Sequence, residues 1–107
     1  MKMPGNMNKL MKQAKKLQEQ MAKLEEEIKE KTVEATSGGG VVKVVVSGDQ
    51  ELKEIQIDPE LLDPEELDML QDLIMAAVNE GLRKAKEMSA EEMGKLTGSL
   101  MPNFPGF

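Results

Sequence analysis

Apolar residues in the first third of the sequence recur at alternating steps of three and four. Because an α-helix has 3.6 residues per turn, this spacing keeps them on one seam of a helix. The pattern predicts a first helix from about residue 6 to residue 31, about 39 Å long at 1.5 Å per residue. An apolar seam of this length needs a partner to cover it. The residues of the seam are Met7, Leu10, Ala14, Leu17, Met21, Leu24 and Ile28.

Shorter segments with a period of two follow the first helix. They are rich in β-branched residues, which is typical of strands, and they comprise Thr32–Ser37, residues 41–46 and Leu52–Ile57. The glycines at 38–40 and the polar residues at 47–49 are typical of tight turns between strands. The sequence therefore predicts a three-stranded antiparallel meander.

Strict alternation assigns the faces of these strands. It places Val33 and Ala35 together on the first strand, and Lys53, Ile55 and Ile57 together on the third. The valine-rich second strand is apolar on nearly all of both faces. This indicates either an ordinary central strand or a strand with packing partners on both sides, as at a dimer contact.

A second helix begins with a clear capping signal. Asp63 is placed as N-cap, Pro64 takes the first helical position and Glu66 completes a capping box. An apolar stripe then continues to Met88 and contains Gly81. Because glycine inside a helix costs about 1 kcal/mol relative to alanine, Gly81 predicts a close crossing over another element.

Glycine and proline interrupt the end of the chain. Residues 89–92 resemble another capping box, so we expect a short last helix up to about Leu96. A single domain of residues 1–96 is then followed by a Gly/Pro-rich tail, residues 97–107, that we expect to be disordered. Both phenylalanines of the chain lie in this tail, which is either a frayed end or a segment that docks on a partner.

Positive charge is concentrated at the start of the first helix. Residues 1–18 contain five lysines and no acid, while the other 89 residues hold nine basic and twenty acidic residues. The net charge of −6 does not decide the partner, because local fields act over about 8 Å at physiological salt. The helix holds its lysines away from the apolar seam. We call these residues the basic stripe: Lys9, Lys12, Lys15, Lys16 and Lys23.

Size and composition narrow the classes of function. A chain of 107 residues with 2% aromatic content buries only a small core. We therefore expect a homodimer, because association buries apolar surface that the monomer cannot cover. Without His or Cys, only carboxylates and Arg83 remain for proton chemistry, so we expect no enzyme, cofactor, metal or small-molecule substrate. The missing cysteines and the lack of long apolar runs also predict a cytoplasmic protein without a membrane partner.

Several segments occur in a familiar order. They are the helical stretch 8–14, the valine run 41–46, the stretch 55–59 followed by two leucines, a capped helix and a Gly/Pro-rich tail. In this order the whole chain resembles the YbaB/EbfC family of bacterial nucleoid-associated proteins. The resemblance implies an α+β fold, α-β-β-β-α, with a three-stranded antiparallel meander between two long helices. It also implies a homodimer at the nucleoid that binds double-stranded DNA through protruding helical ends.

The resemblance assigns DNA contacts to two clusters. One is the first part of the basic stripe, Lys9, Lys12, Lys15 and Lys16, to which the heptad pattern adds Lys23. The other is the second basic cluster, Arg83, Lys84 and Lys86. If the two helices are antiparallel, we expect both clusters at the same end of the domain. The helix dipole explains the second cluster without any ligand. Acidic residues also interleave with it, so the first helix is favoured as the main contact.

Two functions are compatible with these residues. The first is a dimeric DNA-binding protein that uses lysine against phosphate, with modest sequence preference and a role in nucleoid organisation and gene expression. The alternative is a protein-interaction module whose heptad helix binds a recombination or replication partner or unfolded chains. In that case the basic stripe is only a solvated face. The absence of acids before Glu19 favours DNA.

Overall fold

The computed structural model describes residues 5–100 and confirms the predicted fold class. The sheet is antiparallel with strand order β1-β2-β3. In residues 5–100, no helix is both long enough and apolar enough to cross a membrane. The elements are α1 (Gly5–Glu30), β1 (Thr32–Ser37), β2 (Val42–Ser47), β3 (Leu52–Ile57) and α2 (Leu67–Leu100).

The sheet is a meander with one irregular ladder. Gly38, Gly39 and Gly40 form the turn between β1 and β2, and all three have positive φ, which glycine adopts without steric cost. The pairing between β2 and β3 shifts by one residue after Val45. As a result Leu52 lies opposite the buried Val46, in the place that simple alternation gives to Lys53.

The core lies between the sheet and α2, which packs across β1 and β2. The two layers approach most closely at Gly81. A Cβ atom there would lie 2.8 Å from Cγ2 of Val46 and 3.0 Å from Cγ2 of Val44. The close crossing predicted at Gly81 is therefore confirmed. The buried apolar residues of this core are Ala35, Val42, Val44, Val46, Leu70, Ala77 and Ala85.

The start of α2 follows the sequence signal. The Asp63 carboxylate accepts a hydrogen bond from the backbone N–H of Glu65 at 3.0 Å. It caps a 3₁₀ turn, Pro64–Glu66, that leads directly into α2. The cap predicted at Asp63 is confirmed, and the first turn of the helix is 3₁₀.

The end of α2 differs from the prediction. The helix runs without a break through Ser89 and Gly94 to Leu100, so the separate last helix is wrong. Local capping signals are weak preferences that tertiary packing overrides. Beyond Ser89, α2 lies beside α1, and the Glu92 carboxylate is 3.1 Å from Nζ of Lys31, just beyond the end of α1. Four residues that the sequence assigns to the tail are helical. Residues 101–107, with both phenylalanines, lie outside the described residues, as do residues 1–4.

The two helices meet near the β2–β3 turn and run antiparallel. Ile28, near the end of α1, is 4% exposed. A Cβ atom on Gly48 of that turn would lie 2.2 Å from the Ile28 carbonyl oxygen, so only glycine fits there. From the sheet, α2 continues for fifteen residues beyond the buried Ala85, alongside α1. The molecule is elongated, with principal extents of 78 × 24 × 17 Å.

Candidate nucleic-acid interface

The seam of α1 is covered along only half of its length. Ile28 is buried, and Leu17, Met21 and Leu24 are half-buried beside α2. Toward the other end Leu10 is 57% exposed, and Met7 and Ala14 are exposed as well. The first half of α1 therefore projects beyond the packed part of the molecule.

The projecting half of α1 carries most of the basic stripe. All five lysines of the stripe are exposed. Within residues 5–100 no ion pair involves any of them. A phosphate that approaches these ammonium groups therefore displaces no carboxylate paired with them within residues 5–100. The basic side chains that do form ion pairs are Lys31, Lys43, Lys53, Arg83 and Lys95.

Arg83 of the second basic cluster is held by two acids on its own helix. Its Nε donates to the Glu80 carboxylate at 3.1 Å, and its Nη1 donates to the Glu87 carboxylate at 2.5 Å. The hydrogen bond between Arg83 and Glu80 raises the pKa of Arg83 and lowers the pKa of Glu80, because it favours the charged form of each. The positive charge of Arg83 is thus largely balanced in place.

The other two residues of this cluster differ from each other. Nζ of Lys84 donates to the backbone carbonyl of Glu34 at 3.1 Å, which ties α2 to β1. Lys86 is exposed. The ion pairs within residues 5–100 do not include Lys84 or Lys86.

The structure does not bring the two clusters together. Because α2 continues fourteen residues past Lys86, the second basic cluster lies over the sheet and not at a helix end. At 1.5 Å per residue along both helices, Arg83 lies about 30 Å from Lys12. The expectation that both clusters share one end of the domain is therefore wrong, although the helices are antiparallel, which was the condition for that expectation.

One basic residue near the stripe was not among the sequence candidates. Lys95 lies on the part of α2 that runs beside α1, and its side chain is 74% exposed. Its ion pair with Glu92, at 3.7 Å, is long, and Glu92 also pairs with Lys31 at 3.1 Å. The sequence analysis missed Lys95 because residues 89–92 resemble a new helix start. Only the continuation of α2 past Ser89 shows that Lys95 lies beside α1.

Comparison with known proteins connects this geometry to a family. Residues 2–100 match the YbaB/EbfC DNA-binding family. The chain belongs to this family. The family consists of DNA-binding proteins and not of enzymes, as expected from the lack of His and Cys.

Individual relatives extend the comparison over nearly the whole chain. A nucleoid-associated protein from Desulforamulus reducens is 61% identical over 104 residues, which cover 97% of each chain. A nucleoid-associated protein from Moorella thermoacetica is 58% identical over 103 residues, covering 96% of this chain and 97% of the relative. A crystal structure of an uncharacterized protein from Helicobacter pylori shares 29% identity with a TM-score of 0.75. It covers 91% of this chain and 100% of that chain.

Proposed function

We propose that this member of the YbaB/EbfC family binds double-stranded DNA as a homodimer, mainly through contacts between lysines and phosphates. Through this binding it acts at the nucleoid, in the cytoplasm, on nucleoid organisation and gene expression. The family and the names of the relatives support the DNA partner and the nucleoid. The observation that carries the lysine contacts is the basic stripe, exposed and without ion pairs within residues 5–100.

The chemistry of lysine favours contacts with the phosphate backbone of DNA over recognition of base edges. From Lys9 to Lys16 the stripe spans about 10.5 Å of helix, and duplex DNA carries a phosphate about every 3.4 Å along each strand. Long, flexible lysine side chains therefore reach several phosphates from one helix face. An ammonium group acts as a point charge without the planar fork that reads guanine, so we propose a modest sequence preference.

An uncovered face of β3 supports the homodimer. Ile55 pairs with the buried Val44 and so faces the same side of the sheet as α2. However, α2 packs over β1 and β2, and Ile55 is 41% exposed. Met75 on α2 is 60% exposed. Exposed apolar patches of this kind mark interfaces, and a second copy covering this one also doubles the number of basic stripes.

The proposed lysine contacts are tested by removing charge from the stripe. A labelled duplex is titrated with the protein by fluorescence anisotropy at 50 and 200 mM salt. If a dimer neutralises about six phosphates, a plot of log affinity against log salt concentration has a slope near −5. The affinity then falls roughly 10³-fold between 50 and 200 mM salt. The variant Lys9→Gln, Lys12→Gln, Lys16→Gln is expected to lose most binding at 50 mM salt.

A charge-matched variant provides the control. Lys29→Gln, Lys43→Gln, Lys53→Gln removes the same charge outside the stripe and is expected to keep most of the affinity and the slope. Equal losses in the two variants would show that only net charge matters. Salt-independent binding would rule out phosphate contacts. Absence of binding by the unaltered protein would favour the alternative function as a protein-interaction module.

A further inference from the structure

The described part of α2 leaves one end of the α1 seam open. Ser89 and Ile28 line the same groove between the helices. Because the helices are antiparallel and rise about 1.5 Å per residue, Leu100 at the end of α2 reaches about the level of Leu17. Residues 5–16 of α1, which we call the projecting half, therefore extend about 18 Å beyond the described part of α2.

The projecting half is apolar on one side and basic on the other. Leu10 and Met7 of the seam are 57% and 45% exposed, and Met11 beside them is 61% exposed. Because a helix turns about 100° per residue, Lys12 lies about 160° around the axis from Leu10, and Lys16 about 180° from Met7. A helix that places these lysines on DNA therefore turns its apolar seam away from the DNA.

The residues that flank the open seam fit a second copy of the same helix. Met11 and Gln13 lie on either side of Leu10, and neither is charged. In paired helices such flanking positions select the partner by charge. A second copy meets this seam without like charges in contact, whereas a partner helix with charged flanks finds no ion pair here.

The position of α2 determines how two copies can meet. Paired helices lie about 8–10 Å apart, and each helix is about 10–12 Å wide. In a parallel pair, both α2 helices would compete for the space along the seams beyond Leu17. In an antiparallel pair the two projecting halves overlap, and the rest of each molecule lies at opposite ends. Leu10 of one copy then lies near Met11 of the other, and Met7 lies opposite the smaller Ala14.

We propose that the projecting halves of two copies pair back to back through this seam and hold two DNA duplexes on opposite sides. The inference rests on the proposed DNA binding by the basic stripe. The contact has about twelve residues a side, fewer than the roughly 20–30 of a stable interface. Free lysines of the two copies also repel each other. Phosphates neutralise the lysines and DNA concentrates the copies, so the pairing forms on DNA and not in dilute solution.

A bridging assay tests this pairing. The protein is mixed at 50 mM salt with a biotinylated duplex on beads and a fluorescent duplex in solution, and the fluorescence retained on the beads is measured. The variant Met7→Gln, Leu10→Gln is expected to retain several-fold less fluorescence and to bind a single duplex in the anisotropy titration as the unaltered protein does. Leu62→Gln, Met69→Gln replaces residues that are 67% and 45% exposed outside α1, and it is expected to change neither measurement.

The two measurements separate the possible failures. Undiminished retention by the seam variant would overturn the pairing while leaving the proposed function in place. A loss of single-duplex binding by a folded seam variant would place the seam against DNA and would also overturn it. If the unaltered protein binds no single duplex, the proposed function is wrong, and the pairing on DNA falls with it.

Cysteine cross-linking tests the same contact by position. The chain has no cysteine, so an introduced residue is its only thiol. The variant Leu10→Cys is expected to form disulfides between copies several-fold faster with DNA than without it, because the bond needs Cα atoms within about 7 Å. Asn8→Cys, on the face that carries Lys15, is the control and is expected to cross-link slowly in both conditions. Equal rates at the two positions in the presence of DNA would overturn the proposal.

Discussion

Two glycines determine how closely the parts of this molecule approach each other. Gly81 lets α2 lie against the valines of β2, and Gly48 lets the end of α1 lie against the β2–β3 turn. In each case the missing side chain matters because a Cβ atom would enter space that is already filled. The sequence indicated the role of Gly81, since glycine inside an apolar helix stripe is costly unless something approaches it. It gave no such signal for Gly48, which reads as an ordinary turn residue.

Replacing Gly81 with alanine is expected to destabilise the fold. Alanine is the better helix former by about 1 kcal/mol, but overpacking a filled core costs about 1–3 kcal/mol. The Cβ atom 2.8 Å from Val46 Cγ2 places Gly81→Ala toward the upper part of that range, for a net loss of about 1–2 kcal/mol. Urea unfolding at a fixed protomer concentration measures the change.

Gly94→Ala is the matched control for this substitution. Gly94 lies in the same helix, and no heavy atom lies within 4 Å of an added Cβ there. This variant is expected to be stabilised by up to about 1 kcal/mol through helix propensity alone. Similar changes in the two variants would mean that helix propensity, and not the approach to β2, determines the effect at Gly81.

At the scale of elements, the length of α2 is the main departure from the sequence prediction. Ser89 and the acids after it resemble a new helix start, yet the helix continues for eleven more residues. The local preference is weak compared with contacts to α1, which the sequence pattern does not reveal. The extra length gives α1 a partner for half of its seam. It also leaves the second basic cluster in the middle of a helix.

The ion pair between Glu92 and Lys31 makes the joint between α2 and the end of α1 sensitive to pH. The hydrogen bond from Lys31 lowers the pKa of Glu92, and the charges of Lys31 and Lys95 add to this effect. A carboxylate with a lowered folded-state pKa contributes stability above its ordinary value of 4.5. That contribution is lost as the pH falls through the lowered value.

The expected result is a pH-dependent effect of Glu92→Gln. At pH 7 the variant should unfold at a lower temperature than the unaltered protein, and the difference should be smaller at pH 3, because the pKa of Glu92 is lowered from 4.5 and its charge is lost in acid. Thermal unfolding followed by circular dichroism measures it. Glu91→Gln, a neighbouring exposed position, is the control and is expected to change little at either pH. A difference that is the same at pH 7 and pH 3 would exclude the ion pair as its cause.

At the scale of the whole molecule, the helix layer and the sheet differ in width. The sheet has three strands, and α2 packs over two of them, leaving apolar side chains of β3 exposed. A chain of this size buries only a modest fraction of its surface on folding. An exposed apolar face is therefore the expected site of association. The elongated arm formed by α1 and the last part of α2 lies beyond the sheet.

The homodimer is tested by placing a charge on this face. Ile55→Glu is expected to convert the protein to monomers, because a carboxylate buried at an apolar interface lacks a partner. Sedimentation equilibrium measures the mass, and anisotropy is expected to show weaker DNA binding by the monomer. Gln56→Glu adds the same charge to the other face of β3 and is expected to leave the dimer intact. A dimer that persists in Ile55→Glu would place the interface elsewhere.

The sequence by itself determined the order of the elements, the cap at Asp63, the close crossing at Gly81 and the face of α1 that carries lysine. These features depend on periodicity and on interactions within a few residues, which a linear pattern contains. The tertiary structure decided where α2 ends, which partner residue lies opposite Val46 and how far Arg83 lies from the basic stripe. These depend on contacts between residues far apart in the chain, whose energies exceed local preferences and leave no periodic signal.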